Sequence, residues 1–366
     1  MKTLVRITYI WEDTLSKILS VFLVGLGVAV ASGPISEAFA SKKKAKSLYK
    51  GRTITILVGY GSGGTYGRTS LLLGQYLGKF IPRKPNIVVQ HMPGAGGLKA
   101  ANYAYNVMPA NGFNLLMPPE MSVASAVLRP TKVKFKPQEF QWLGRVFGSN
   151  NAIIVRRDSG IKTWSDLKTK EVIMASSGKG SPSFLVPRLM NGTLGTKMKI
   201  VMGYKGSKRM QLSVEQKETM GAALAWISWS SARPQWFKDG IGPNGNSVAI
   251  PLAQSGYTPV KGLENVPMIR NLIKSKEDRQ ISDLLGSASI IGRSLVLPPK
   301  APSWLVPVLR SAFNKSVKSK NFIADAKKRG LEVNPKTGQE ISKIVSELMS
   351  VPKAVQVKGK KLIFGK

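Results

Sequence analysis

Thr53–Gly67 reads TITILVGYGSGGTYG, a short apolar strand running straight into a glycine-rich turn. Ile54, Ile56 and Val58 supply the β-branched alternation that suits a pleated strand. Gly59, Gly61, Gly63, Gly64 and Gly67 then fall within nine residues. Backbone without Cβ can turn its amides towards an anion and approach it closely. The leucine-rich run Thr69–Phe80 predicts a helix whose positive N-terminus lies behind the loop. A strand, a glycine turn and a helix in that order build an anion site at the C-terminal end of a strand in an α/β sheet.

The pattern outside this stretch narrows the anion. Gly59, Gly61 and Gly64 satisfy G-x-G-x-x-G, but a dinucleotide site also needs an acidic residue about twenty positions on to hold a ribose. Neither Asp nor Glu occurs between Gly51 and Met117. A phosphate loop fails too, because Thr65 follows Gly64 where Lys-Ser/Thr is required. A nucleotide-binding enzyme using this loop is therefore the weakest of the alternatives.

Strand-like and helix-like stretches alternate outward from the motif. Asn86–Gln90 reads as a second strand, Gly97–Val107 as a helix and Asn114–Met117 as a third strand. The order βαβαβ implies parallel strands with helices on both faces. A second set starts at Asn151–Val155, followed by Thr163–Lys168 with Thr163 as N-cap, then strand Glu171–Ala175. That strand runs into SSGKGSPS (Ser176–Ser183) and a helix over Phe184–Asn191. Two such strand–polar loop–helix units, one in each expected lobe, can face each other across a cleft. Pro302–Ser316, Ser319–Arg329 and Thr337–Met349 carry apolar residues at helical spacing, with Thr337 and Glu340 as a capping box. The basic tail from Lys358 reads as frayed chain.

The N-terminus predicts export. Lys2, Arg6 and Lys17 flank an apolar run, Ile18–Ala31, and Ala38-Phe39-Ala40 gives a small-x-small cleavage pattern. An uncleaved anchor is the alternative, although the run falls short of the 20 or so residues of a span. The absence of cysteine excludes disulfides, thiolate nucleophiles and Cys-ligated metals. Residues 1–40 are read as a signal peptide, 41–150 as the first lobe, 151–290 as a second lobe, and 291–366 as the return to the first lobe with C-terminal helices.

The formal net charge is +36. It is scattered along the chain, with one tight cluster at Lys42–Lys46 and no zinc-finger spacing, RNP-type motif or basic heptad region. No dedicated nucleic-acid partner follows, although an exported protein that adheres to polyanions or surfaces stays open as an alternative. An enzyme would have to use the single histidine, His91, in any Ser-His-acid triad, and Gly-x-Ser-x-Gly is missing. Glu120, Asp158 and Asp166 have no spacing that suggests paired acid–base work. His91 is read as a turn residue. No catalytic residue, metal or cofactor is expected.

YKGRTITILVGYGSGGTYG, then IVVQHMPGAGGLKAANY with its PGAGG turn (Pro93–Gly97), and NGF before a strand, resemble the substrate-binding receptors of tripartite tricarboxylate transporters, the Bug-type receptors. The resemblance continues through ASSGKGSPS, Tyr204–Ser207 and LPPKAPSWLVPVLRSAF, nearly the whole chain beyond the leader. It implies a periplasmic, monomeric protein with a two-lobed, type II periplasmic-binding-protein-like α/β fold. Its function would be to close on a small carboxylate or related organic ligand and deliver it to membrane transporter subunits. It implies that Gly61, Ser62, Gly63, Gly64, Thr65 and Tyr66 face Ser176, Ser177, Gly178 and Ser181 as the two ligand loops. Glu120 and Ser122, in the turn after the third strand, and Trp226 and Trp229, in the AWISWS stretch read as a loop, would line the cleft. The sequence departs from the family at Gly67, where members commonly have Asp, at His91 in place of Asn, and in ETMGA (Glu218–Ala222), which lacks an Asp.

Overall fold

The computed structural model describes residues 34–365. The leader expectation falls mainly on residues 1–33, outside the described residues; residues 38–40 lie within the first helix, α1 (Pro34–Leu48). The first half of the chain continues as β1 (Thr53–Val58), α2 (Thr65–Phe80), β2 (Asn86–His91), α3 (Leu98–Asn106), β3 (Asn114–Met117), α4 (Ser122–Leu128) and β4 (Gln141–Arg145). It then passes to β5 (Asn151–Arg156), β6 (Val172–Ser176), α5 (Pro182–Leu194), β7 (Met198–Met202), α6 (Ser207–Glu215), β8 (Gly221–Ala225), α7 (Trp226–Ser230) and β9 (Ala249–Ser255). The return runs through α8 (Ile269–Leu272), α9 (Lys276–Gly286), α10 (Ala288–Ile291), β10 (Ser294–Leu297), α11 (Leu305–Lys318) and α12 (Lys320–Lys328). It ends in β11 (Lys336–Thr337), α13 (Gly338–Met349) and α14 (Lys353–Phe364).

These strands form two sheets, in the orders β11-β4-β10-β3-β1-β2 and β7-β6-β8-β5-β9. β1 pairs in parallel with both β2 and β3, as the βαβαβ pattern requires. β10, returning from the far end of the chain, inserts antiparallel between β3 and β4. In the second sheet β6 is parallel to β7 and β8, while β5 is antiparallel to β8 and β9. The fold is α/β and two-lobed.

Ile54, Ile56 and Val58 are fully buried, and Leu72, Leu73 and Leu77 of α2 pack on them together with Phe313 of α11. Helices on each side of the sheet cover both faces of β1 at its C-terminal end, where Ile56, Leu57 and Val58 are all buried. The second core gathers Ile153, Val155, Met174 and Leu185 around β5, β6 and α5. Two departures from the sequence reading belong here. The basic tail is helix α14, docked on α5 and α9, with Val355 and Ile363 buried in the second core. Arg188 donates to the Ile363 carbonyl at 2.8 Å and Lys358 pairs with Asp278 at 2.8 Å, so a run that reads as frayed is pinned from outside. AWISWS is also helical, as α7, rather than a loop.

Candidate functional site

The loops at the C-terminal ends of β1, β3, β6 and β8 converge between the lobes. β1 delivers Tyr60, Gly64, Thr65 and Tyr66; the turn after β3 delivers Glu120; the loop after β6 delivers Ser177, Ser181 and Ser183. Ser207 at the start of α6, Ser228 on α7 and Arg293 before β10 complete the lining, with Met210, Leu224 and Ala225 as its apolar part. They enclose a cavity of about 30 Å³, room for a little water rather than for an organic acid.

The lobes meet directly around it. The Thr65 amide donates to Ser207 Oγ at 3.2 Å and the Thr65 hydroxyl to Ser228 Oγ at 2.8 Å. The Gly61 amide donates to the Lys205 carbonyl at 2.7 Å, and the Gly96 amide to the Ser177 carbonyl at 3.0 Å. Arg68 adds a bond to Ser231 Oγ at 2.7 Å. Close approach explains several glycines. A Cβ on Gly96, where φ is +70°, would stand 2.5 Å from the Ser181 nitrogen. On Gly67, in the first turn of α2, it would stand 2.1 Å from the Ser62 carbonyl oxygen, so the turn in front of α2 leaves no room for a side chain there.

The cavity has one buried ion pair. Arg293 and Glu120 are 3% and 4% exposed by side chain, and the guanidinium hydrogen-bonds the carboxylate. Arg293 also lies over the Tyr66 ring, 4.1 Å from its centroid, which suits a planar cation on an aromatic face. The Tyr66 hydroxyl accepts the Glu120 amide N–H at 2.6 Å, and the Tyr60 hydroxyl donates to the Gly96 carbonyl at 2.8 Å. Burial raises both phenols above their ordinary range, so both stay neutral. Burial also raises the Glu120 carboxyl, and Arg293 opposes that rise. Two of the lining residues carry a polar atom that is buried without a partner, Arg293 Nε and Ser177 Oγ.

The sequence-predicted residues divide accordingly. Gly64, Thr65, Tyr66, Glu120, Ser177 and Ser181 line the cavity. Gly61, Ser62 and Gly63 face a separate surface cavity of about 340 Å³ whose other wall is Lys205, Lys208 and Arg209. The amides of Gly61 and Thr65, read as an anion cradle, are instead spent on contacts with the opposite lobe. Ser176 braces its own loop by accepting from the Gly178 amide at 3.1 Å and from Ser183 Oγ at 3.2 Å. Gly178, with φ at +126°, packs against Ala95 and Gly96. Ser122 is buried at the start of α4, away from the cavity wall. Trp226 and Trp229 turn into an aromatic cluster with Phe237 and Trp236; Ser228, between them, is the residue that reaches the cavity. His91 Nδ1–H donates to the Tyr60 carbonyl at 2.8 Å, a brace for the glycine turn.

Arg293, Tyr60, Ser183 and Ser207 are polar lining residues that sequence reading did not single out, whereas Ser228 lies within the AWISWS stretch expected to line the cleft. A single arginine ahead of an apolar strand gives no signal in a chain with 55 basic residues.

No protein-family model matches the chain. It is 31% identical over 171 residues to a UPF0065 protein of Agrobacterium vitis, a match covering 44% of this chain and 48% of that protein. The chain thus spans about half the length of that relative. A UPF0065 protein of Cupriavidus necator is 22% identical over 341 residues, 91% of this chain and 95% of the other. The periplasmic binding protein BugD superposes with a TM-score of 0.65 at 17% identity, covering 86% of this chain and 98% of its own. MatC from Rhodopseudomonas palustris, with bound malate, gives 0.64 at 15% identity over 85% and 99%. R. palustris Rpa4515 with adipate gives 0.63 at 18% over 84% and 97%. The named neighbours BugD and a TctC solute-binding protein from Polaromonas are binding proteins rather than enzymes. The resemblance read in the motifs is borne out, and the chain has the fold of the Bug and TctC periplasmic binding proteins.

Proposed function

We propose that the protein is an exported, periplasmic solute receptor that captures a small carboxylate between its lobes for delivery to a membrane transporter of the tripartite tricarboxylate type. One observation carries this reading: both lobes contribute to one buried cavity that holds a cation, Arg293, and hydroxyls from four loops. Neighbours of the same fold contain malate and adipate. The Ala38–Ala40 pattern supports export, with the processed chain beginning near Ser41. Ligand entry requires the lobes to part, because the enclosed space is smaller than any such acid.

Thermal melting of the exported protein against acetate, malate, adipate, tricarballylate and benzoate tests the reading. A ligand at 100 times its Kd stabilises by about 2.7 kcal/mol. At least one acid is expected to raise the Tm by a clear margin, and no shift with any of them overturns the proposal.

A further inference from the structure

The ion pair in this cavity is electrically complete before any ligand arrives. Among the described residues lining it, Arg293 is the one cation and Glu120 the one carboxylate. The guanidinium is nevertheless unsaturated, since Nε is buried and unpartnered, and Ser177 Oγ is equally unpartnered on the opposite lobe. A guanidinium offers five donors in a fixed fork, so it can hold one carboxylate on one edge and receive a second on another.

The charges around Glu120 determine what the second carboxylate does. Arg293 faces it from the start of β10, Tyr66 from α2 and Tyr60 from the loop after β1. Arg68, further along α2, is held by Ser231 and interacts with Arg293 rather than with Glu120. Both tyrosines are neutral, so the cavity sums to zero charge. An entering carboxylate makes it −1, and two carboxylates sharing one buried site cannot both remain ionised cheaply.

We propose that Arg293 anchors the ligand carboxylate through its free Nε edge, together with Ser177, and that Glu120 takes up one proton from solvent as the ligand enters. This rests on the carboxylate-receptor reading and specifies how that site recognises charge. The protonated Glu120 then has an O–H to donate, and the cavity returns to neutrality. Burial already pushes the Glu120 carboxyl in the required direction. The bound state carries one more proton than the free state, so affinity rises as pH falls.

Calorimetric titration of the exported protein with malate and adipate, between pH 6.5 and 8.5 and in two buffers of different ionisation enthalpy, tests this. The expected result is uptake of one proton per ligand, with Kd rising about tenfold per pH unit where Glu120 is ionised in the free protein. Glu120→Gln is expected to bind without proton uptake, with a flat pH profile and an affinity at pH 8 at least equal to that of the original protein. Arg293→Lys, which loses the fork, is expected to bind about 100-fold more weakly or worse. Binding without proton uptake in the original protein overturns the inference and leaves the receptor reading intact, as does Glu120→Gln binding more weakly at pH 8. If Glu120→Gln fails to fold, the proton count in the original protein decides. Failure of every acid in the melting panel overturns the receptor reading and this inference with it.

Discussion

Two glycines separate the cost of closing the lobes from the cost of folding them. Gly64 has φ −80° and ψ 175°, backbone that alanine adopts freely, yet its Cβ would stand 2.8 Å from Ser207 Oγ on the opposite lobe. Ser207 can rotate away only by releasing the Thr65 amide. One such hydrogen bond is worth about 0.5–1.5 kcal/mol, so Gly64→Ala should weaken ligand binding roughly three- to tenfold. The unliganded Tm should move little. Gly96→Ala meets a backbone nitrogen at 2.5 Å and a left-handed φ of +70°, so it should weaken binding more and also lower stability, by about 1 kcal/mol or more. Calorimetry and melting of both variants check this, and equal affinity across all three proteins would show that closure does not use these contacts. The glycine positions were legible because a turn that close to another backbone leaves a mark in composition. Arg293 was not, because its role depends on Glu120, 173 residues away in sequence.

Helix α13 shows what local sequence can specify. Thr337 and Glu340 form the capping box expected from their spacing, with the Thr337 amide donating to Glu340 at 2.7 Å. Those bonds hold the Glu340 carboxyl down at about 2. A carboxyl depressed in the folded state contributes stability above its unfolded pKa of about 4.3, and that contribution is lost as pH falls towards 2. Glu340 is 49% exposed by side chain, so solvent screening keeps its share small. Thr337→Ala should cost about 1 kcal/mol. Glu340→Gln should cost less at pH 7 and about half of that at pH 3, where the folded-state carboxylate is still mostly ionised, and urea midpoints at both values measure this. An undiminished gap at pH 3 would mean that the carboxylate charge is not what stabilises the cap. Helices α7 and α14 were not legible in the same way. Their formation depends on docking, α7 through Trp229 packed on Trp236 and α14 through Ile363 in the second core, and neither carries a side-chain cap.

Across the whole molecule the parallel order of β1, β2 and β3 followed from alternating strand and helix patterns, whereas the insertion of β10 between β3 and β4 depends on pairing over a long loop. Two of the chain crossings between the lobes lie side by side. Val146 N–H donates to the Arg293 carbonyl at 2.9 Å, and Arg293 N–H to the Phe147 carbonyl at 2.8 Å. The Arg293 that lines the cavity is therefore also part of the ribbon that joins the two sheets. Arg145 braces the ribbon by donating to the Ile290 and Asn334 carbonyls, and burial pulls its pKa down to about 10. Residues 350–352 make a third crossing, carrying the chain from α13, packed on β4, to α14, packed on α5. Removing residues 353–366 deletes that crossing and uncovers the seat of Val355 and Ile363, both almost fully buried. Burying each such side chain contributes about 1.5–3 kcal/mol, so the shortened protein should lose about 3 kcal/mol or more. For a chain of this size that amounts to a Tm fall of roughly 5 °C or more. Melting of the shortened and full chains side by side measures it, and a Tm unchanged by the deletion would mean that α14 rests on the second lobe without holding it.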